Sequence, residues 1–324
     1  MDTMNMNTGK KPTLGFIGQG WIGKNLADNF EERGHATIRY AHEEPYNKNK
    51  ELLKEADIIF IAVPTPTTPT GFDDSILRQA VKHAHPGQTV VIKSTIIPGT
   101  TDSIAEENPK LYVMHAPEFL RETSVKKDIS EPERNIIGIP TKFFKDKEWK
   151  RRAEEVLAVL PDAPYSVICT APEAELTKYG GNNFFYMKVV YLNTLHDLAE
   201  HHGASWDVIS KNMTADSRIG SSHMQVFHQM PHLGGGVVGR GAGGHCFIKD
   251  FAALRHHYED TFPDEEHTHV HSLLRSFEAT NNFLLRSTNK DLDLLESVYG
   301  DEVLCVCKVN DKGATCVCKM SNNS

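Results

Sequence analysis

A glycine-rich turn near the start of the chain constrains the fold more than any other feature. The apolar run Leu14–Ile17 predicts a strand that leads directly into the pattern Gly18-x-Gly20-x-x-Gly23. A helical pattern follows, and then a second strand over Ala36–Tyr40. In such a turn Gly18 allows the tight bend, Gly20 lets the backbone approach a pyrophosphate, and Gly23 lets helix and strand pack closely. The context therefore favours a dinucleotide site over a glycine-rich turn without a ligand.

The end of the second predicted strand bears on which dinucleotide is bound. An acidic residue about 20 positions beyond the glycines usually holds the ribose 2′-hydroxyl of NAD. Here the strand ends in Arg39, Tyr40, Ala41 and His42, with two glutamates just beyond. Arg39 and His42 could instead contact the 2′-phosphate of NADP. The sequence favours NAD as the cofactor and leaves NADP open.

Strands and helices continue to alternate through the first half of the chain. This order predicts a doubly wound parallel sheet, whose ligands bind at the carboxyl ends of the strands. The further strands are predicted over Ala56–Val63, Thr89–Lys93, Leu111–His115, Asn135–Ile139 and Tyr165–Cys169, and the helices over Asp74–His83, Thr101–Glu107 and Lys147–Leu160. Polar loops follow three strands, at Thr65–Thr68, Ser94–Thr95 and Pro117–Glu122. Structural capping would explain the polar residues of any one loop, but the three loops together indicate the wall of a binding site.

Length and charge exclude several classes of function. A chain of 324 residues suggests two domains, and its net charge of −8 gives no general attraction to nucleic acids or anionic membranes. No apolar run approaches the ~18 residues that a membrane span requires. Residues 1–11 are polar and lack the apolar core of a signal peptide, so we expect a cytoplasmic location and reduced thiols.

The second half of the chain opens with a long predicted helix over Pro172–His202. Its apolar residues surround most of the circumference, which suggests burial against a neighbouring subunit and hence a homodimer. Lys178 and Asn182 lie one turn apart on one face, with Gly180 and Gly181 between them. Two glycines weaken a helix, so something is expected close to the backbone there. A solvated surface stripe is the alternative for the Lys–Asn pair.

A second glycine-rich segment carries the strongest chemical signal. The run Gly239–Asp250 brings Cys246 to the start of a helix, where a thiolate is favoured and ready for nucleophilic attack. Asp250 lies one turn later and could act as a base or hold a water molecule. A buried structural cysteine is the alternative, but it does not explain the five nearby glycines: Gly235, Gly236, Gly241, Gly243 and Gly244.

From Leu14 to Leu285 the chain resembles the UDP-glucose/GDP-mannose dehydrogenase family. The resemblance rests on the segments GQGWIG, AVPTPTT, KSTIIPGT, APEFLRE, ELTKYGGNNFFYMK, DSRIG and GAGGHCFIKD. It implies oxidation of a nucleotide-sugar C6 alcohol to the carboxylate, as in the conversion of UDP-glucose to UDP-glucuronate, with two NAD and a covalent thioester. The implied fold is a Rossmann-like sheet followed by an all-helical central domain.

The resemblance also implies roles for individual residues. Cys246 corresponds to the nucleophile, and Lys178 and Asn182 to the pair that stabilises the oxyanion. Asp250, Thr95 and Glu118 correspond to the group that places and activates the hydrolytic water. Glu122 and Lys249 would line the pocket, and Arg218 would reach the substrate across a subunit contact. The residues expected to bind the cofactor are Gly18, Gln19, Gly20, Trp21, Ile22, Gly23, Tyr40, Thr65 and Thr95; no metal site is predicted.

The chain departs from the family pattern in three further respects. Ala242 stands where a phenylalanine is common, and Ile248 where a proline is usual. Members usually continue for about another hundred residues into a second nucleotide-binding domain. Here only a short tail follows the match, so we expect a short form without that domain. The expected divisions are 11–170 for the cofactor domain, 171–290 for the helical domain and 291–324 for the tail.

The tail itself predicts a β-hairpin, Val303–Val309 paired with Ala314–Met320. A turn between Asn310 and Gly313 would set Cys307 opposite Cys316 and Cys305 opposite Cys318. Zinc binding, plain packing and adventitious oxidation are the alternatives, and the C-x-C spacing is not the usual one for zinc.

Two other functions remain open from the sequence alone. A β-hydroxyacid dehydrogenase also places a lysine and an asparagine one turn apart after a Rossmann domain, but it does not need Cys246. A non-catalytic NAD-binding module needs neither Cys246 nor Asp250.

Overall fold

The computed structural model describes residues 11–121, 123–229, 238–310 and 313–318. Contacts divide the chain into two compact units. The first consists of Met1–Thr65 and Asp74–Lys178, and the second of Pro66–Asp73 and Tyr179–Ser324. None of the helices in the described ranges is long and apolar enough to cross a membrane.

The elements follow one another in the order that the alternating pattern predicts, with several short additions. The strands are β1 (Leu14–Ile17), β2 (Thr37–Tyr40), β3 (Ile58–Ile61), β4 (Thr67–Thr68), β5 (Gly71–Phe72), β6 (Thr89–Ile92), β7 (Tyr112–His115), β8 (Arg134–Ile139), β9 (Tyr165–Thr170), β10 (Phe227–Gln229), β11 (Val238–Arg240), β12 (Cys305–Asn310) and β13 (Gly313–Cys318). The helices are α1 (Trp21–Glu32), α2 (Ser75–Val81), α3 (Thr100–Glu107), α4 (Val125–Ser130), α5 (Lys147–Val159), α6 (Ala171–His201), α7 (Trp206–Thr214), α8 (Gly244–Thr261), α9 (Thr268–Ser287) and α10 (Leu292–Tyr299).

The first unit is built on one seven-stranded sheet of order β2-β1-β3-β6-β7-β8-β9. Strands β1, β3 and β6 are buried along their whole length, which explains why they are apolar on both faces rather than alternating. Phe16, Phe30 and Phe60 form the aromatic centre beside β1, with ring centroids 5.4 to 5.7 Å apart. The Rossmann-like fold class is therefore confirmed.

One pairing differs from the predicted all-parallel arrangement. Strand β8 pairs antiparallel with β7 through the single pair His115 and Gly138, and β9 is parallel to β8. The other neighbouring strands of the sheet pair in parallel. The burial patterns of β7 and β8 resemble those of the parallel strands, so the sequence carries no signal for the reversal.

The second unit packs its helices around α8. On one side Phe251 of α8 stacks on Tyr186 of α6, with ring centroids 4.0 Å apart. On an adjacent face a second buried cluster joins α8 to α9, α10 and the following turn: Ile248, Ala252, Leu285, Leu295, Val298 and Leu304. Apolar packing on these two adjacent faces therefore fixes α8.

The sequence predicts an all-helical second domain, but the second unit also contains short strands. Strands β4 and β5 form one antiparallel pair, and β10 and β11 form another. Each of these strands is two or three residues long, too short for a hydrophobic period to be recognised. Helices α4, α7 and α10 and the 3₁₀ helix Asn47–Glu55 were also not predicted.

The predicted hairpin of the tail is present in the backbone. Cys305 lies opposite Cys318 and Cys307 opposite Cys316, in the register that the sequence predicts. Cys305 is disulfide-bonded, so its sulfur is not a thiolate ligand for zinc in this structure.

Candidate active site

The first glycine-rich turn has the geometry that a dinucleotide requires. Gly18 has φ of +90°, and a Cβ there would lie 2.2 Å from the Ala62 carbonyl oxygen. A Cβ on Gly23 would lie 2.0 Å from the Gly18 carbonyl oxygen, whereas at Gly20 nothing lies within 4 Å. Helix α1 begins without a side-chain cap, so its first amides can bind an anion. Open space at Gly20 beside uncapped amides fits a pyrophosphate.

Three other predicted cofactor residues lie between the glycines of this turn. The Gln19 side-chain amide donates to the Gly18 carbonyl at 3.1 Å, which fixes it against the turn. Trp21 is 43% exposed at the first position of α1, and Ile22 beside it is half-buried. The Trp21 indole is therefore a large apolar surface available to a ligand.

The Arg39 side chain is held away from the role that the NADP alternative requires. Its guanidinium is 9% exposed and pairs with Asp28 at 2.6 Å and Glu31 at 2.7 Å. Its hydrogen bonds to Glu31 lower the pKa of that carboxyl, so both partners stay charged. Two carboxylates thus neutralise Arg39. Tyr40 is buried and meets the rings of His42 and His83 edge-on.

Hydrogen bonds tie together the loops that follow β3 and β6. The Thr65 hydroxyl donates to the Thr95 carbonyl at 2.6 Å. The Ser94 hydroxyl accepts from the Val63 amide at 3.0 Å and donates to the Val63 carbonyl at 2.7 Å. The structure therefore brings the predicted residues Thr65 and Thr95 together at one edge of the sheet.

A buried lysine that the sequence did not single out pairs with the predicted acid Glu118. The Lys93 ammonium is 3.0 Å from a Glu118 carboxylate oxygen, and the Phe119 amide donates to the other oxygen at 2.9 Å. Lys93 stands in the segment KSTIIPGT, directly before Ser94. Its position in that motif was the available signal.

Lys178 is buried in the same unit, with its ammonium 5.5 Å from the centre of the Phe119 ring. His115 lies fully buried near Lys93 and Lys178. Burial, and then the two lysines, lower the pKa of His115 to about 3. The imidazole is neutral and adds no positive charge beside Lys178.

Glu175, one turn before Lys178 on α6, fixes the start of that helix to α3. Its buried carboxylate accepts from the amides of Gly99 and Thr101 at 2.7 and 2.9 Å. Gly99 has φ of +91° and is the N-cap of α3, so a side chain from α6 does the work of a helix cap. Burial raises the pKa of Glu175.

In the second unit Cys246 lies exposed on the first turn of α8. Gly243 is the N-cap of this helix, and no side chain caps it. Among the cysteines whose side chains the structure describes, Cys169 is also outside a disulfide; it is half-buried, and burial raises the pKa of its thiol to about 11. The two environments differ in the sense expected of a reactive and an inert thiol.

Asp250 lies fully buried one turn after Cys246. It accepts from the Asn182 side-chain amide at 2.6 Å and from the Lys249 ammonium at 2.5 Å. The backbone carbonyl of Lys249 accepts from the Thr67 hydroxyl at 2.9 Å. Asn182, Lys249 and Asp250 therefore form one hydrogen-bonded group, in which the Lys249 ammonium is already paired.

The helix α6 leaves room beside its paired glycines. Gly180 is exposed and Gly181 half-buried, and a Cβ at either would have no atom within 4 Å beyond its chain neighbours and the adjacent backbone of α6. The close neighbour that the sequence predicts is thus not another part of the described protein, and the space remains available to a ligand.

Two of the predicted substrate residues lie outside these groups. Arg218 follows α7, is 86% exposed, and pairs with Asp216 at 2.5 Å. Its contact across a subunit boundary stays a prediction. Glu122 lies outside the described residues.

Among the described residues one group could bring three metal ligands together. The ligand atoms of His196, Asp197 and Glu200 lie within 4.8 Å of one another. Asp197 is already 2.5 Å from the guanidinium of Arg240, whose positive charge opposes a cation there. We assign no metal to this group.

Comparison with known proteins agrees with the geometry. Residues 44–157 match the NAD binding domain of the UDP-glucose/GDP-mannose dehydrogenase family, and residues 172–282 match its central domain. The first match confirms NAD as the cofactor.

Individual relatives extend these matches. A UDP-glucose 6-dehydrogenase of Rickettsia bellii is 30% identical over 67% of this chain and 48% of its own length. The UDP-glucose 6-dehydrogenase YwqF of Bacillus subtilis is 31% identical over 71% of this chain and 48% of its own. The chain thus spans about half the length of these curated relatives.

A solved structure is similar over most of the chain. It is a UDP-glucose dehydrogenase from Pyrobaculum islandicum, with a TM-score of 0.70 and 25% identity, and the match covers 93% of this chain and 74% of that one. From the two domain matches and the residues of both glycine-rich segments, the chain belongs to the UDP-glucose/GDP-mannose dehydrogenase family.

Proposed function

We propose that the protein is an NAD-dependent nucleotide-sugar 6-dehydrogenase that oxidises a C6 alcohol to a carboxylate, with UDP-glucose as the first substrate to test. The observation that carries the proposal is the first turn of α8. An exposed Cys246 there is followed one turn later by a buried carboxylate bonded to Asn182 and Lys249. A dehydrogenase that only forms an aldehyde or ketone does not need such a nucleophile.

The residues that would hold NAD are those of the Gly18–Gly23 turn, with Tyr40, Thr65 and Thr95. The open space at Gly20 and the uncapped start of α1 support this assignment. NAD supplies the hydride acceptor for both oxidation steps.

The first steps convert the alcohol to a covalent adduct. The C6 alcohol loses a hydride and a proton and becomes an aldehyde. The Cys246 thiolate then adds to the aldehyde carbon, and the resulting oxyanion takes up a proton to give a thiohemiacetal. Lys178 and Asn182 are the donors proposed to stabilise that oxyanion.

The last steps release the acid. Loss of a second hydride and a proton converts the thiohemiacetal to a thioester. Water then attacks the thioester carbon, the carbon–sulfur bond breaks, and Cys246 regains its thiolate. Asp250, Glu118 and Thr95 are proposed to place and activate this water. The pairing of Lys93 with Glu118 supports this role because it fixes the position of that carboxylate.

Lys249, Arg218 and Glu122 are proposed to contact the substrate. The ammonium of Lys249 is bonded to Asp250, so its contribution is to hold that carboxylate as much as to line a pocket. Arg218 is exposed and can turn towards an anionic group.

The test is the ratio of NADH formed to substrate consumed. The purified protein with UDP-glucose should form two NADH for each UDP-glucuronate. Cys246→Ser should form no acid, and Asp250→Asn should slow acid release about 100-fold and accumulate a thioester detectable by mass spectrometry. Cys169→Ser is the matched control and should behave as the wild type.

Other results would identify the alternatives. One NADH per substrate, unaffected by Cys246→Ser, indicates a β-hydroxyacid-type dehydrogenase. NAD binding without turnover of any UDP- or GDP-sugar indicates a binding module. Either result contradicts the proposal.

We also propose a homodimer formed through α6. Phe184, Tyr191 and Leu198 recur every seven residues on this helix and are each more than half exposed. Such a stripe on a helix favours pairing with a second copy. Light scattering should give twice the chain mass, and Tyr191→Glu should give a monomer.

A further inference from the structure

Side chains from the segment after α9 bond to the backbone of the loop that leads to Cys246. The Lys290 ammonium donates to the Gly241 carbonyl at 2.7 Å, and an Asp291 carboxylate oxygen accepts from the Gly244 amide at 2.8 Å. Lys290 and Asp291 are 4% and 3% exposed. Two adjacent buried residues thus hold both ends of a four-residue stretch.

Helix α9 and the residue directly after it bind the backbone of Ala242 and Arg240. The Asn281 side chain accepts from the Ala242 amide at 2.7 Å and donates to the Ala242 carbonyl at 2.9 Å. The Thr288 hydroxyl accepts from the Arg240 amide at 3.0 Å. Together with the bonds from Lys290 and Asp291, these contacts leave every residue from 240 to 244 except Gly243 with a backbone group hydrogen-bonded to a side chain from residues 281–291.

Gly243, the exception, has no room for a side chain. A Cβ at Gly243 would lie 1.9 Å from Asp291 Oδ2 and 2.8 Å from Lys290 Cε. At Gly239 a Cβ would lie 2.6 Å from Lys290 Cβ. The glycines of the loop therefore exist partly to admit Lys290 and Asp291.

The same segment also supports α8 by apolar packing. Ile248, two residues after Cys246, is buried in a cluster with Leu295 and Val298 of α10. Ile248 is the residue that stands where the family pattern has a proline. Lys290, Asp291 and α10 all lie beyond residue 282, where the match to the family's central domain ends.

We propose that Lys290 and Asp291 are positioning residues for the nucleophile: they hold the Gly239–Gly244 loop so that Cys246 is presented at the start of α8. The proposal rests on the proposed function only in taking Cys246 as the nucleophile. Neither residue touches the reacting atoms. They act through the backbone of the loop. A displacement of the loop by about 1 Å would make the position of Cys246 unproductive.

The first test measures the loop without any substrate. Hydrogen–deuterium exchange of the full-length protein should be about tenfold faster in the peptide covering 240–247 for Lys290→Met and for Asp291→Ala. Exchange in α5 should not change. Asp291→Asn keeps an acceptor oxygen and should restore slow exchange, and Asp293→Ala, an exposed acid two residues on, should match the wild type.

The second test separates chemistry from binding. With UDP-glucose as substrate, Lys290→Met should lower kcat about 10-fold to 100-fold while KM stays within about twofold. A general loss of structure would instead speed exchange in α5 and raise KM, and that result contradicts the proposal. Should Asp291→Ala not fold, Lys290→Met carries the comparison, with Asp291→Asn as the variant expected to keep slow exchange.

The two tests fail independently. Unchanged exchange at 240–247 in both Lys290→Met and Asp291→Ala overturns the positioning role, whatever the enzyme oxidises. Faster exchange at 240–247 supports it even where UDP-glucose is not turned over, since the loop is measured directly.

Discussion

The two glycine-rich loops of this protein use glycine for different physical reasons. In the loop Gly18–Gly23 the closest crowding atoms are backbone atoms: the carbonyl oxygen of Ala62, just after β3, and that of Gly18. In the loop Gly239–Gly244 they are mainly side-chain atoms from Asn281, Lys290 and Asp291. No substitution elsewhere in the chain removes the backbone atoms that crowd the first loop. The second loop depends on residues about 40 to 50 positions away, as its hydrogen bonds show.

The largest effect is expected at Gly23, where a side chain would meet backbone. Gly23→Ala should lower the free energy of unfolding by about 3 kcal/mol and NAD affinity by at least about 100-fold, because the Gly18 carbonyl cannot move independently. Gly20→Ala is the matched control, since its space is open and its backbone is extended. It should keep its stability and lose NAD affinity about tenfold. Urea unfolding and calorimetry measure the two effects, and equal destabilisation by both changes would contradict the comparison.

A smaller and reversible effect is expected at Gly243, where a side chain would meet a side chain. Gly243→Ala should destabilise the protein by about 1–3 kcal/mol. Adding Asp291→Ala should recover about 1 kcal/mol as a coupling term in a double-mutant cycle. No single truncation can relieve Gly23→Ala in this way. A coupling of zero would mean that Asp291 does not crowd Gly243.

The second loop should also respond to pH, through Lys290. Burial lowers the pKa of Lys290 to about 8 from its ordinary 10.5, while Asp291 opposes the shift. The folded state then binds fewer protons than the unfolded state between these values, so stability rises with pH across that window. The cost of the buried ammonium is fully present below pH 8.

Comparison with Lys290→Met isolates this contribution from other groups. Between pH 7 and 10.5 the wild type should gain up to ~3 kcal/mol of unfolding free energy relative to the variant. Urea titrations at several pH values measure the difference. A difference that does not vary with pH would show that the ammonium is not buried in solution.

The smallest effect is expected beside the first loop, at Arg39. Glu31→Gln combined with Asp28→Asn should release the guanidinium and strengthen NADP binding about threefold to tenfold, with little change for NAD. Glu32→Gln, an exposed neighbour, is the control. Calorimetry with both dinucleotides decides the matter, and unchanged NADP affinity would exclude Arg39 from the cofactor site altogether.

The same contrast explains what could be predicted from the sequence. The turn Gly18–Gly23, its flanking strand and helix, and the sheet that follows depend on local pattern, and they were predicted to within a few residues. The position of Cys246 at a helix start was also readable, because glycines immediately precede it. The placement of Asn182 and Asp250 in one site follows from family motifs rather than from spacing.

The rest depends on long-range contacts that leave no periodic trace. Lys290 and Asp291 look like an ordinary charged pair after a helix, and nothing near them indicates that they bind a backbone 47 to 49 residues earlier. The pairing of Arg39 with Asp28 and Glu31 likewise requires the fold. So does the reversal of β8, which rests on one residue pair.

The buried cluster around Ile248 has a practical consequence for protein engineering. A gene cut at residue 282, where the family match ends, would uncover Ile248 and Ala252 and discard Leu295 and Val298. Such a product would expose an apolar surface close to Cys246 and should precipitate. Fusions and domain grafts onto this scaffold therefore belong beyond Leu304, the last residue of that cluster.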